Sequence, residues 1–406
     1  MFTLLQINVV VNWGSTGRIA EEIGQAAIAN GWESFIAYGR NARPSQSKLI
    51  KIGSKWDMYS HILQTRLLGC HGLASKRATK KLISKIKEIK PDIIHLHNIH
   101  GYYLNYPLLM DYLSNADIPI IWTLHDCWSF TGHCSHFAFI NCGKWKSKCS
   151  HCVQKKEYPS NWIDRSERNF MIKKKYFTSI EKMVLVPVSE WLQAFLKDSF
   201  LAGYPSVCIH NGIDLVTFFP KNVTPEWRQK VSFTAKYTVL GVTNIWNKRK
   251  GLNDFIQLRE LLSCEYLIVL VGLTSKQLKL LPDGIMGISR TNSVEELAQY
   301  YSAASVFVNP TWEDNFPTTN LEALACGTPV ITYRTGGSVE AITRENGIIV
   351  EQGDIVGLAD AVQVICSKGK DTYRKACRKR AVTYFNKEEC YQEYLDLYEN
   401  LVFQKK

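Results

Sequence analysis

No uninterrupted apolar run approaches the ~18 residues that a helix needs to cross a bilayer, so no membrane-spanning segment is expected. Met1 is followed by Phe-Thr-Leu-Leu-Gln-Ile-Asn-Val-Val-Val, which lacks both a basic start and a small-residue cleavage site, and this predicts no secretory leader. A cytoplasmic protein is the resulting expectation. RNP, KH and zinc-finger spacings are missing, which argues against a nucleic-acid partner for a basic chain. No Asp-x-Asp closes a predicted strand, so nothing marks a divalent-metal site for a diphosphate, and no catalytic cofactor is expected. Histidine is absent after His210, which weighs against a metal hydrolase built on His95, His97, His100 and His125-Asp126, because such enzymes draw ligands from later strand ends as well.

What the chain does have is length and an ordinary apolar share: 406 residues, 46% hydrophobic and 21% charged, enough for two domains with separate cores. The formal charge is +12, concentrated in Lys76 to Lys90 and in Lys173-Lys174-Lys175. Both stretches read as solvated helix faces, with attraction to an anionic membrane surface as the sharper alternative.

Apolar β-branched runs alternate with helical periodicity throughout. Leu4 to Val11 reads as a strand ending in Gly14-Ser15-Thr16-Gly17, followed by a helix. Further strands are expected at Ser34 to Tyr38, Asp92 to Leu96, Pro119 to Leu124, Met183 to Ser189 and Ser206 to His210. After a polar stretch, strands resume at Thr238 to Val242, Tyr266 to Gly272, Val306 to Asn309 and Pro329 to Tyr333. This alternation predicts an α/β chain of two doubly wound parallel-sheet domains facing a cleft. The expected division is residues 1–215, a linker at 216–237, a second domain at 238–385, and a C-terminal helix at 386–406 that packs on the first domain.

The most informative segment runs from Asn309 to Val330 and reads strand, loop, short helix, strand. Pro317 suits a helix start, and Gly327 with Pro329 a stop, so the helix is expected from about Pro317 to Cys326. Asp314 then stands in the loop before the helix. Glu322 lies two turns inside it, half buried and in need of a partner, and the free amides near Thr318 and Thr319 suit a phosphate.

These residues resemble the C-terminal signature of the retaining glycosyltransferases of family 4, whose GT-B architecture pairs two Rossmann-like domains. The resemblance extends over nearly the whole chain and is similar to the bacterial exopolysaccharide, colanic-acid-type members. It implies that Glu322 bonds the ribose of a nucleotide-sugar donor and that Asp314, in place of the usual Glu, bonds the sugar. Glu313 to Glu322 is one residue too long for the pattern. Asn315, Phe316, Thr318 and Thr319 fall where the family contacts sugar and phosphate.

Upstream, Leu240 to Gly251 matches the family's strand, loop and Lys-Gly, which makes Lys250 the group that neutralises the leaving diphosphate. The family's Arg five residues earlier is replaced by Ile245, leaving Arg249 or Lys248 as substitutes. Gly14 lies in a loop resembling the one that closes over the donor phosphate. His125, at a strand end, matches a His that contacts the donor sugar, with Asp126 placed to orient its ring. Thr335-Gly336-Gly337 is expected to open a further helix, and Asn211 to Asp214 to form a turn. The resemblance further implies transfer with retention to a saccharide acceptor, and by analogy to a lipid-linked oligosaccharide at the inner membrane face. A non-catalytic nucleotide- or carbohydrate-binding subunit is the other reading of the same features.

Five of the twelve cysteines crowd between Cys127 and Cys152. Cys134, Cys142, Cys149 and Cys152, with one Cys-x-x-Cys, suit a tetrahedral structural zinc that staples an acceptor loop; free thiols and disulfides are the alternatives. His133, His136 or His151 could replace one sulfur, and Cys127 lies too near His125 to be needed.

Overall fold

The computed structural model describes residues 1–233 and 235–403. The chain divides into two compact units, one made of Met1–His210 together with the chain from Tyr391, the other of Asn211–Cys390. The expected linker at 216–237 lies within the second unit and carries a short helix, while residue 234 of that linker and residues 404–406 of the expected last helix are outside the described residues.

In the first unit the elements run β1 (Thr3–Asn8), α1 (Gly14–Ala29), β2 (Glu33–Tyr38), β3 (Lys48–Lys51), α2 (Lys55–Leu68), α3 (Lys76–Ile89), β4 (Ile93–Leu96), α4 (Tyr106–Ser114), β5 (Ile120–Leu124), α5 (Ser166–Phe177), β6 (Met183–Pro187) and α6 (Glu190–Lys197). The second unit continues with α7 (Pro225–Lys230), β7 (Tyr237–Val242), α8 (Leu252–Leu261), β8 (Tyr266–Val271), α9 (Ser275–Leu278), β9 (Ile285–Ile288), α10 (Val294–Ala303), β10 (Val306–Asn309), α11 (Thr318–Ala325), β11 (Val330–Tyr333), β12 (Gly347–Val350), α12 (Ile355–Lys368) and α13 (Lys370–Tyr384). Helix α14 (Lys387–Phe403) starts in the second unit and enters the first.

Each unit holds one six-stranded parallel sheet, ordered β3-β2-β1-β4-β5-β6 and β12-β11-β10-β7-β8-β9. Numbered within its own unit, the second order is the first one reversed, so both are the doubly wound order in which the chain changes direction between the first and fourth strands. Leu4, Leu5 and Ile7 of β1, Ile93 and Ile94 of β4, and Ile120 and Ile121 of β5 are fully enclosed, as expected where helices cover both faces of a sheet. In such folds ligands bind at the carboxyl ends of the strands beside the change of direction, here after β1 and β4 and after β7 and β10.

Helix α14 lays its aromatic face on the first unit. Tyr394 accepts a hydrogen bond from Thr123 (3.1 Å), the Tyr398 hydroxyl meets His95 Nδ1 at 2.6 Å, and Tyr391 donates to Glu22 (2.9 Å).

Several elements differ from the sequence expectation. Between β2 and the basic stretch that ends at Lys90 the structure adds β3 and α2, and β9 and β12 are further strands that the apolar pattern did not mark. Ser206 to His210 is no strand; it contributes a single bridge, Leu185 to Ser206. Gly336–Val339 is one short turn of 3-10 helix rather than the start of a longer one. Lys173 does not belong to a solvated face. It is buried, donates to the carbonyls of Trp128 (2.6 Å) and Thr131 (2.9 Å), and sits 3.5 Å above the Trp128 ring.

Candidate active site

In the second unit, the loops after β7 and β10 bring Lys250 and Asp314 together as an ion pair, with both side chains partly buried. The path of each loop explains the meeting. Trp246 is buried and donates to Val271 O (2.9 Å), and Asn247 caps the turn by accepting from Lys250 N (3.0 Å). Gly251 follows in the left-handed region, where a Cβ would collide with Pro310 O, so only glycine lets this turn close against the end of β10. Burial pushes the Lys250 ammonium below its ordinary range; Asp314 opposes that shift and Arg249 adds to it.

Arg249 does not point its charge into open space. Its guanidinium donates to Glu313 O, while Trp312 N donates back to Arg249 O (2.7 Å), so the pair straps one loop to the other. Ile245 is exposed and so is Lys248. The position left by the missing Arg is thus not filled by Arg249 acting as a free cation. Glu313 is wholly buried, whereas Asp314 reaches Lys250, so the two adjacent acids have different surroundings.

The Asp314 carbonyl accepts from Gly337 N (3.1 Å), and Gly336, again left-handed, approaches it so closely that a side chain there would overlap it. That contact is what the Gly-Gly pair does in this fold. Asn315 and Phe316 are buried, Phe316 O accepts from Asn211 Nδ2 (3.3 Å), and the Phe316 ring packs 5.6 Å from that of Phe385.

Helix α11 starts at Thr318, with Pro317 as the residue before it and no side chain capping its first turn. Its N-terminal amides at Thr318 and Thr319 are therefore left to another acceptor, and the helix dipole favours a negative one. Glu322 is more deeply buried than the half-burial expected, and it accepts from the Tyr301 hydroxyl at 2.8 Å. Asn320, fully buried in the first turn of α11, accepts from Asn309 (2.9 Å) and donates to Ser338 O (3.0 Å), which fixes α11 to both β10 and the Gly-Gly turn. Neither Tyr301 nor Asn320 was singled out from the sequence. A buried-polar position inside the signature helix could have flagged Asn320; nothing local marks Tyr301.

In the first unit, His125 follows β5 and is held by a relay across three neighbouring strands. Gln6 Nε2 donates to Ala20 O (2.8 Å), so Gln6 Oε1 must accept from His97 Nε2 (2.9 Å). His97 Nδ1 then accepts from His125 Nε2 at 3.1 Å, and the network assigns the proton of His125 to Nε2. Burial lowers the His125 pKa to about 4, with Asp126 opposing and His100 adding, so the ring is neutral at physiological pH.

His97 orients the His125 ring through that bond, and Asp126 acts on the ring through its charge. The Asp126 carboxylate accepts from His100 Nε2 (2.9 Å) and from Trp128 N (2.9 Å). Burial alone would raise Asp126, but the His100 charge and hydrogen bond, with the Trp128 amide, hold it at about 2. Both ring nitrogens of His95, His97 and His100 are engaged by protein groups, which leaves these three without a lone pair for a metal. Gly14 opens α1 with a positive φ, and no side chain caps that helix.

The Cys-rich insertion is three short 3-10 turns around a small aromatic core, with Trp145 against Phe137 (4.9 Å) and Phe195 of α6 (5.2 Å). All four candidate thiols are unpaired by disulfides. Cys134 and Cys152 share a hydrogen bond that raises the first thiol and lowers the second, Cys149 and Cys142 lie within electrostatic reach of Cys134, and Cys149 Sγ accepts from Gly132 N at 3.2 Å. Among the described residues, however, no three Cys, His, Asp or Glu side chains are arranged to hold a metal ion. Cys127 stands apart, its amide bonded to Ser135 O (3.1 Å).

Comparison with known proteins agrees with this geometry. Residues 16–217 match the family model described as Glycosyltransferase Family 4, and residues 236–368 match that for group 1 glycosyl transferases. A putative colanic acid biosynthesis glycosyl transferase, WcaC of Escherichia coli K12, is 25% identical over 98% of this chain and 100% of its own. A D-inositol 3-phosphate glycosyltransferase from a Mycobacterium species is 26% identical over 43% of each chain. Among solved structures, sucrose-phosphate synthase from Thermosynechococcus elongatus superposes with a TM-score of 0.73 at 19% identity, covering 99% of both chains. HepE of Anabaena in complex with UDP superposes at 0.67 and 15% identity, covering 98% of this chain and 100% of that one. With a family 4 first unit and a group 1 second unit on two doubly wound sheets, the chain belongs to the family 4 glycosyltransferases of GT-B fold.

Proposed function

We propose that this glycosyltransferase moves a sugar from a nucleoside-diphosphate donor, UDP- or GDP-linked, to a saccharide acceptor with retention of configuration. The acceptor is a lipid-linked oligosaccharide of cell-surface polysaccharide synthesis. The observation that carries the reading is the Lys250–Asp314 pair beside the uncapped start of α11, at the carboxyl ends of β7 and β10. Support for the donor class comes from HepE, solved with UDP and with UDP-glucose, and for the pathway class from the colanic acid relative.

Breaking the bond between sugar and diphosphate develops negative charge on the leaving group and positive charge on the ring. Lys250 and the amides of Thr318 and Thr319 hold the departing phosphate, and each preorganised donor of this kind is commonly worth roughly 3–4 kcal/mol. Asp314, through its pairing with Lys250, keeps that ammonium in place and accepts from the sugar. Glu322 takes the ribose hydroxyls, and the backbone at Asn315 and Phe316 lines the sugar. His125 and Gly14 are assigned to the donor sugar and phosphate on the family resemblance, with His97 and Gln6 fixing the tautomer of His125. Arg249 serves as a strap that holds the Lys250 and Asp314 loops together.

A thermal-shift panel of nucleotide sugars tests this. One donor should raise the unfolding temperature while the others do not, and steady release of free UDP or GDP from that donor should follow. No response to any nucleotide sugar sinks the reading, and stabilisation without any turnover identifies a non-catalytic binding subunit instead.

The four clustered thiols are the place proposed for a structural zinc, which would have to draw them closer than they stand. It has no part in the transfer. Purified protein should carry close to one equivalent of zinc and lose thermal stability on chelation; a content well below one equivalent rejects the staple.

A further inference from the structure

Helix α2 is built the wrong way round for a helix on a water-exposed surface. Its inward face is Met58, His61, Ile62 and Thr65, and the two fully buried members are polar. His61 is satisfied there by Ser75 Oγ (2.8 Å) and Gly72 N (3.0 Å), and Thr65 donates to His61 O (2.9 Å). Its outward face carries Trp56, Tyr59, Leu63 and Leu67, spaced three, four and four residues apart, which places them in one stripe along the helix. Trp56 is 82% exposed and Leu63 57%. The stripe continues beyond the helix end, where Trp162 N donates to Arg66 O (2.8 Å) and the Trp162 side chain is 70% exposed, beside exposed Ile163.

Cationic groups surround this stripe on one side. Arg77 and Lys81 of α3 lie within electrostatic range of Asp57 in the first turn of α2. Between β3 and α3 runs an open groove of about 500 Å³ whose walls are largely apolar, among them Leu49, Leu82 and Ile89, and which carries Lys51, Lys81 and Lys85, the last paired with Glu88 at 2.6 Å. On α3 itself Lys76, Arg77, Lys80, Lys81, Lys85 and Lys87 are all exposed, and Glu88 is the one acid of that helix.

We infer that α2 is an interfacial anchor: its Trp56–Leu67 stripe inserts among lipid acyl chains while the α3 lysines and the adjoining groove take anionic headgroups. An exposed apolar stripe alone would not choose between a lipid surface and a second protein. The choice follows from composition and charge. Trp and Tyr at one end of a Leu stripe, flanked by a row of lysines, is the pattern of a helix lying in the plane of an anionic bilayer surface. No helix among the described residues is long and apolar enough to cross a membrane. The inference deepens the reading of a lipid-linked acceptor and rests on it for its purpose, though vesicle binding is measurable with neither donor nor acceptor present.

The test is co-sedimentation of the full chain with vesicles of phosphatidylcholine containing one quarter phosphatidylglycerol, at low and high salt. Wild-type protein should bind, and part of the binding should survive high salt, because inserted apolar area is not screened. The variant W56S/L63S/L67S should lose about tenfold or more of its partition at either salt. The variant K81E/K85E should lose binding chiefly at low salt. All substituted residues are exposed, so unfolding transitions and donor turnover without vesicles should match wild type in both variants. Equal binding by wild type and the stripe variant overturns the inference. So does a wild-type dimer in solution that the stripe variant converts to monomer while neither binds vesicles, because the stripe is then covered by a second copy. A chain that docks through α2 yet never turns over a nucleotide sugar sinks the proposed function and leaves the anchor standing.

Discussion

Glu322→Ala should lower kcat/KM for the nucleotide-sugar donor by roughly 30- to 1000-fold, the equivalent of about 2–4 kcal/mol for a buried carboxylate that loses charge-assisted hydrogen bonds. The basis is its place inside α11, almost without solvent contact, with one oxygen accepting from Tyr301. Because removing the carboxylate also leaves the Tyr301 hydroxyl without that acceptor, alanine alone would mix instability with lost binding. Glu322→Gln separates them: the amide oxygen still accepts from Tyr301, so the melting curve should stay near wild type while donor affinity falls. Unchanged kinetics in a well-folded Gln variant would remove Glu322 from the donor site.

The second large effect is expected at Lys250. Lys250→Met should cut kcat by about 10²- to 10³-fold, the usual consequence of deleting one preorganised donor to a developing anion. Asp314→Asn should also be deleterious, and the double variant less so than the product of the two, because the residues form one ion pair. A pH profile supplies an independent check. The protonated ammonium is the active form, and burial shifts its pKa down from 10.5, so activity should fall as pH rises through a value below the ordinary lysine range. Lys250→Arg keeps a charge that does not titrate in that range, so whatever activity it retains should lack this alkaline limb. An alkaline limb shared by wild type and the Arg variant would assign the titration to another group.

How legible these residues were depended on distance along the chain. Asp314, Thr318 and Glu322 lie within one strand–loop–helix segment, where spacing and helix punctuation place them without help from elsewhere. Lys250 could be nominated from its own Lys-Gly turn. That it meets Asp314 could not be, because the pairing is made by β7 and β10 becoming neighbours in the sheet. Arg249 shows the cost of stopping at residue type: as a cation near a phosphate site it reads as a clamp, and only the crossing of two loops reveals that its guanidinium serves the Glu313 carbonyl.

The histidines carry the same lesson. His125 at the end of β5 was readable from the apolar run before it, and Asp126, next in sequence, was the natural partner. Adjacent residues at a strand end point to different sides, however, and Asp126 turned to His100 while His97, from the neighbouring strand, took the His125 ring. At α2 the direction of the apolar face is what the sequence could not show. Its pattern of apolar positions reads as a core-facing stripe, and periodicity carries no sign to say which face is inward.

What the sequence by itself determined is the two-domain α/β alternation, the signature segment around Glu322 and the Lys-Gly turn, all of which are local patterns of period, cap and spacing. What only the tertiary structure decided is which side chains meet: Lys250 with Asp314, Glu322 with Tyr301, His125 with His97. Those partners are brought together by strand order and by burial, which act between residues far apart in the chain and leave no mark on the spacing of neighbours.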